Sequence, residues 1–171
     1  MIYLKDTIHI DTTPERAFDW LAHFPENYVA WHPAHVECRY VKGHALEVGT
    51  QIYCEEYLHG RLHKMVFQVT QVTGHARVEY RVEHLGKGAF EVQEADGGVE
   101  FIAELWVGSA LPLVGAVVDL LLRSLFRNQI EAIRHHMAEE GHNLKRLLEG
   151  GCDEENQGGN SEHNRTGSDL L

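Results

Sequence analysis

Residues 50–72, TQIYCEEYLHGRLHKMVFQVTQV, decide the fold. Two runs rich in β-branched and aromatic residues flank His59-Gly60, a two-residue hairpin turn. Counting outward from that turn, Leu58 opposes Arg61, Tyr57 opposes Leu62, Glu56 opposes His63, Cys54 opposes Met65 and Ile52 opposes Phe67. Ile52, Cys54, Glu56 and Leu58 share one face of the first strand, because residues two apart in a strand point the same way. The matching face of the second strand carries His63, Met65, Phe67 and Val69. These faces are the more apolar ones, and a one-residue slip would turn the whole set to water. The hairpin therefore predicts an acid across from an imidazole on the face that turns to the core.

Alternating runs recur on both sides. Ile2–Ile10 reads as an opening strand. Asp11-Thr12-Thr13-Pro14-Glu15 is a helix start, with polar capping residues, a proline whose missing N–H costs nothing there, and an acid in the first turn. Ala17, Phe18, Trp20 and Leu21 give that helix an apolar face, Pro25 stops it, and Glu26–Trp31 is a second short helix ended by Pro33. Further strands are expected at Val36–Lys42, Arg77–His84, Ala89–Ala95 and Val99–Val107, with glycines between them. From about Val114 to Leu148 the period becomes helical. The order predicts an α+β domain: a curved antiparallel sheet of about seven strands wrapped on a long C-terminal helix, with two short helices after the first strand. Residues 1–149 form this domain, and residues 150–171 read as a disordered acidic tail of glycine, asparagine, serine and acids.

Several polar residues fall on faces that should be buried. Phased at roughly 100° per residue, the long helix has one stripe of Leu122, Phe126, Ile130, Ile133, Met137, Leu144 and Leu148. Gln129, His136 and Glu140 lie within it, and His135 points away. His136 and Glu140 are i,i+4 neighbours able to pair. The strand Arg77–His84 turns Val78, Tyr80, Val82 and His84 inward, and Trp31-His32-Pro33-Ala34-His35 sits where the cavity between sheet and helix has its rim. His32 or His35, Glu56, His63, His84 and His136 can thus face one space. Such a set suits zinc or another borderline divalent ion. The competing reading is a polar pocket in which Glu56–His63 and His136–Glu140 satisfy one another. Glu55, His44, His59, His75 and His142 fall on outward or turn positions.

Composition narrows the classes. The net charge is −11 with no basic stripe, which disfavours nucleic-acid binding. The 13 histidines outnumber the 6 phenylalanines and 6 tyrosines together, an excess in the side chain that titrates near neutrality and most often binds metals. Cys38, Cys54 and Cys152 show no CxxC spacing, which suits a reducing compartment, and Cys54 reads as a buried, inert thiol. No secretory signal opens the chain, and the apolar run Leu105–Val118 is too short to cross a membrane, so a cytoplasmic protein is expected, with no membrane partner. Asn164-Arg165-Thr166 matches a glycosylation sequon by chance in that setting.

The phrases DTTPERAFDWLAHFPE (11–26), YVAWHP (28–33) and EVGTQIYCEEYLHGRLHKMVFQVTQV (47–72), in this order of elements, resemble the START-like or Bet v 1-like (SRPBCC) superfamily of polyketide cyclases and lipid carriers. The resemblance covers residues 1–148 and implies a helix-grip fold that binds a hydrophobic or aromatic small molecule. Trp31-His32, Glu56, the strand ending near Trp106-Val107-Gly108 and His136-x-x-x-Glu140-x-x-x-Leu144 also resemble the 2,4-diacetylphloroglucinol hydrolase group of zinc-dependent carbon–carbon hydrolases. That likeness implies zinc as cofactor, with His32, Glu56, His84 and His136 as ligands; His63 is the replacement for His84. His63 or Glu140 would then act as the acid/base group that protonates a ring carbon as the carbon–carbon bond breaks. The expected function is a metal-dependent hydrolase or lyase for an aromatic ketone or polyketide-like substrate. A non-catalytic carrier of a hydrophobic ligand is the alternative, and an adaptor using the acidic surface or tail is a third.

Overall fold

A computed structural model describes residues 2–58, 60–83, 85–108 and 127–150. Strand β1 (Ile2–Ile10) leads into helices α1 (Pro14–Ala22) and α2 (Phe24–Trp31). Six strands follow: β2 (His35–Lys42), β3 (Gln51–Leu58), β4 (Arg61–Thr73), β5 (Arg77–Val82), β6 (Gly86–Ala95) and β7 (Gly98–Val107). The described part of the long helix, α3, spans Arg127–Gly150. All strands pair antiparallel in one curved sheet of order β1-β7-β6-β5-β4-β3-β2, so this is the expected α+β helix-grip architecture.

The β3–β4 register is the one counted from the turn, from Leu58↔Arg61 to Ile52↔Phe67. Gly60 takes φ +70°, the left-handed conformation that such a turn needs and glycine adopts without strain. Thr13 caps α1 by accepting from the Arg16 N–H at 3.3 Å, with Pro14 and Glu15 in the first turn. Helix α1 ends at Ala22, three residues before Pro25. Pro25 sits in the first turn of α2, where its missing N–H is tolerated, and α2 starts two residues earlier than the sequence suggests. Strand β6 begins at Gly86 rather than Ala89, because Gly86 and Gly88 pair with Val82 and Tyr80 on one side and with Val107 and Leu105 on the other.

Helix α3 lays Met137, Leu144 and Leu148 into the core as its stripe predicts; Leu122 and Phe126 lie outside the described residues. Gly141 lets the helix approach β1, since a Cβ there would stand 2.8 Å from Asp6 Oδ2. The aromatic rings of Phe24, Trp31 and Phe90 meet at 5.7–6.0 Å between α2 and the sheet. Burying a side chain of this size contributes about 1.5–3 kcal/mol. Cys54 is buried, its Sγ 3.2 Å from that of Cys38 across the β2–β3 ladder, and burial pushes its thiol pKa up. Both thiols are free, and Cys152 lies outside the described residues, as does the tail from 151. No helix among the described residues is long and apolar enough to cross a membrane.

Candidate functional site

Helix α2 and the turn after it deliver three side chains to one point. Tyr28 and Trp31 are three residues apart on the buried face of α2. The Trp31 indole donates to the Glu140 carbonyl at 2.8 Å and so ties α2 to α3. His32 and His35 are both buried, at 7% and 4% exposure. The His35 ring lies flat on Tyr28, with centroids 3.8 Å apart and planes at 3°. His35 Nδ1 donates to the Tyr28 carbonyl at 2.7 Å. A carbonyl only accepts, so Nδ1 carries a proton and Nε2 is the nitrogen turned toward the carboxylates. His32 is arranged the other way: its Nδ1 accepts from the Ala34 N–H at 3.1 Å, which leaves the proton on Nε2, 3.5 Å from Glu139 Oε2.

Strand β3 supplies Glu56, and α3 supplies His136 and Glu140. His35 Nε2 stands 3.1 Å from Glu140 Oε1 and 3.7 Å from Glu56 Oε2. His136 Nε2 is 3.6 Å from each of the same two oxygens. The Tyr28 hydroxyl donates to Glu56 Oε2 at 2.9 Å. Despite these close carboxylates, the buried Nε2 atoms of His35 and His136 make no hydrogen bond of proper geometry.

The electrostatics follow from packing four ionisable groups out of water. Burial raises the Glu56 pKa, but His136, the Tyr28 hydroxyl and His35 outweigh it, so the carboxyl ends below its ordinary value. Burial lowers the His136 pKa, but Glu56 and Glu140 outweigh that, and the imidazole ends above its ordinary value. Burial, together with His136 and His35, pulls His32 down. The Tyr28 hydroxyl is pushed up by burial and by Glu56, and stays a donor.

Two overlapping groups are close enough to hold an ion, with donor atoms all within 4.8 Å of one another: His32, His35 and His136, and His35, Glu56, His136 and Glu140. A tetrahedral ion with bonds of about 2.1 Å sets its ligand atoms about 3.4 Å apart, and the four nitrogen–oxygen distances of the second group run from 3.1 to 3.7 Å. The donor set and its two unbonded imidazole nitrogens fit a borderline divalent cation.

Of the residues expected from sequence, His32, Glu56, His136 and Glu140 meet here, and His84 lies outside the described residues. His63 does oppose Glu56 in the ladder, yet no ion pair joins them: His63 is exposed, and Glu56 turns to Tyr28, His35 and His136 instead. His136 does come within 3.6 Å of Glu140, but without a hydrogen bond, so neither expected pair satisfies itself. His35 is one of two choices that the sequence leaves open, and its signal is the β2–β3 ladder, in which it faces Glu56 directly. A bulge between His35 and Glu37 hides that parity. Among the outward residues, Glu55 pairs with Lys64 at 2.8 Å, and His75 meets the Phe18 ring edge-on.

Tyr28, Glu56, His136 and Glu140 line a cavity of about 710 Å³ between sheet and α3, which His32 and His35 do not line. Phe24, Trp31, Phe67, Tyr80 and Phe90 line its walls, as do the exposed His63 and Arg61. Fold and cavity define a helix-grip domain built to bind a small molecule. The chain belongs to the family described as polyketide cyclase / dehydrase and lipid transport, whose model matches residues 1–149. Solved structures agree on the fold. The KanY protein is 17% identical with a TM-score of 0.65, over 86% of this chain and 97% of that one. A protein from Thermus thermophilus is 13% identical with a TM-score of 0.62, over 86% and 97%. The di-domain ARO/CYC BexL from the BE-7585A biosynthetic pathway is 15% identical with a TM-score of 0.62, over 86% of this chain and 50% of its own. No curated protein matches the sequence.

Proposed function

We propose that this protein is a metal-dependent hydrolase or lyase acting on an aromatic ketone or polyketide-like substrate, with zinc or a similar divalent ion held by His35, Glu56, His136 and Glu140. The observation that carries the reading is the pair of buried imidazole nitrogens, His35 Nε2 and His136 Nε2, that face two half-buried carboxylates without bonding to them. Buried polar atoms are nearly always satisfied, so such a pair points to a missing partner. His32, the ligand expected from sequence, is the poorer candidate, because its Nδ1 lone pair is taken by Ala34 and its Nε2 holds the proton.

When bound, the ion would supply Lewis acidity toward a ketone oxygen or a water. The chain's own residues do the rest. The Tyr28 hydroxyl holds Glu56 by one oxygen, and the Tyr28 carbonyl keeps the His35 proton on Nδ1. Phe24, Trp31, Phe67 and Phe90 exclude water from the bound ring. His63, which lines the cavity, would give a proton to a ring carbon, with Glu140 as the alternative donor if it is not used as a ligand.

Metal content of the native protein tests the reading, with Glu56→Ala and His136→Ala as controls. One equivalent of zinc or a similar ion in the wild type, lost in both variants, is expected. A wild type that neither carries a metal nor takes up added zinc removes the proposal. The second reading, a carrier of a hydrophobic ligand, is favoured by the cavity's aromatic lining. It predicts ligand binding without turnover.

A further inference from the structure

Tyr80 lies across the cavity wall with a hydroxyl that no described protein group uses. It sits on β5 between Val69 of β4 and Gly88 of β6, with Phe67 edge-on at 5.0 Å and Phe90 at 5.3 Å. The ring is held by a gap in the neighbouring strand. A Cβ on Gly88 would overlap the phenol oxygen and stand 2.8 Å from Cε2. Gly88 has no left-handed φ, so the glycine is there for room and not for its backbone. The residue is 9% exposed, and it lines the same cavity as Glu56, His136 and Glu140.

A buried tyrosine hydroxyl ordinarily finds a partner. Phenylalanine would fill the same space without a polar atom to satisfy. Burial and the nearby Glu140 and Glu56 hold this phenol above its ordinary pKa, so it remains a donor. No acceptor among the described residues reaches it, and the residue lines the cavity.

We propose that the Tyr80 hydroxyl donates a hydrogen bond to a carbonyl oxygen of the cavity's ligand, which makes that ligand an oxygenated aromatic and not a plain hydrocarbon chain. The proposal rests on the ketone-substrate reading for the ligand's class, but not on the metal. Gly88 and Tyr80 then act as a unit that selects for the carbonyl.

Two probes isolate the bond: 2′,4′-dihydroxyacetophenone and 4-ethylresorcinol, the same ring with the carbonyl replaced by a methylene. Their affinities are measured calorimetrically for wild type and Tyr80→Phe, with cobalt(II) uptake followed by its visible spectrum in both. Tyr80→Phe should weaken the ketone about three- to tenfold, leave ethylresorcinol unchanged and bind cobalt like the wild type. Equal ketone affinity in the two proteins, or a wild type that binds neither probe, overturns the inference. A wild type that takes no cobalt but shows the Tyr80-dependent preference removes the metal enzyme and keeps this donor.

Discussion

Tyr28 and His35 are bound to each other twice over: their rings stack at 3.8 Å, and the His35 Nδ1–H donates to the Tyr28 carbonyl at 2.7 Å. One residue of a short helix thereby sets both the tilt and the tautomer of an imidazole on the neighbouring strand. The same tyrosine reaches Glu56 with its hydroxyl. The candidate centre is thus held from behind by a residue that does not belong to it.

Tyr28→Phe keeps the stack and the carbonyl but deletes the Glu56 bond. Loss of a partner behind a metal ligand typically costs about 10–100-fold in metal affinity. A zinc titration in competition with a chelator should show that weakening. Unchanged affinity would mean that Glu56 needs no such support.

The two histidines of the turn should separate cleanly. His35→Ala removes a nitrogen already in the ligating tautomer, and metal uptake should fall by at least about 100-fold. His32→Ala should leave stoichiometric uptake intact. The reverse result would return the ligand role to His32.

In the metal-free protein, Glu56 and His136 give opposite pH limits. Glu56 has a lowered folded pKa, so its contribution is present above the unfolded value of about 4.3 and is lost as pH falls through the folded one. His136 has a raised folded pKa, so its contribution is whole below about 6.5 and is lost as pH rises through the folded one. His136→Ala should therefore lower the Tm more at pH 5.5 than at pH 8.5. Zinc affinity of the wild type should run the other way, falling about tenfold per pH unit once His136 must release its proton to bind.

Asp6 lies against Gly141 of α3, and burial raises its pKa despite His142 and the Thr7 N–H. A raised carboxyl pKa costs stability above the folded value and nothing below the unfolded one. Asp6→Asn should raise the Tm by about 1–2 °C at pH 7, with the gain fading as pH falls through the raised folded value and gone below about pH 4. A loss of stability at pH 7 would show that the carboxylate is better paired than its burial suggests.

Much of this is legible without coordinates. The hairpin of β3 and β4 can be paired residue by residue, because a two-residue turn and a period of two leave one register that buries the apolar face. The α3 stripe places His136 and Glu140 together for the same kind of reason, a fixed period of 3.6. Gly88 reads in the sequence as turn punctuation, since nothing local distinguishes a glycine that bends the chain from one that clears space for Tyr80.

Local periodicity, then, determined the strands, the helices, their order and the inward placing of Glu56, His136 and Glu140, though not of His63, because each depends on neighbours within a few residues along the chain. The placing of His35 against Glu56 and Glu140, the turning of Glu56 away from His63 and the meeting of α2, β2, β3 and α3 at one point were decided only by the tertiary structure. A bulge shifts parity by one residue, and a side chain selects its partner by distance in space, which for Tyr28 and Glu56 spans 28 residues of sequence.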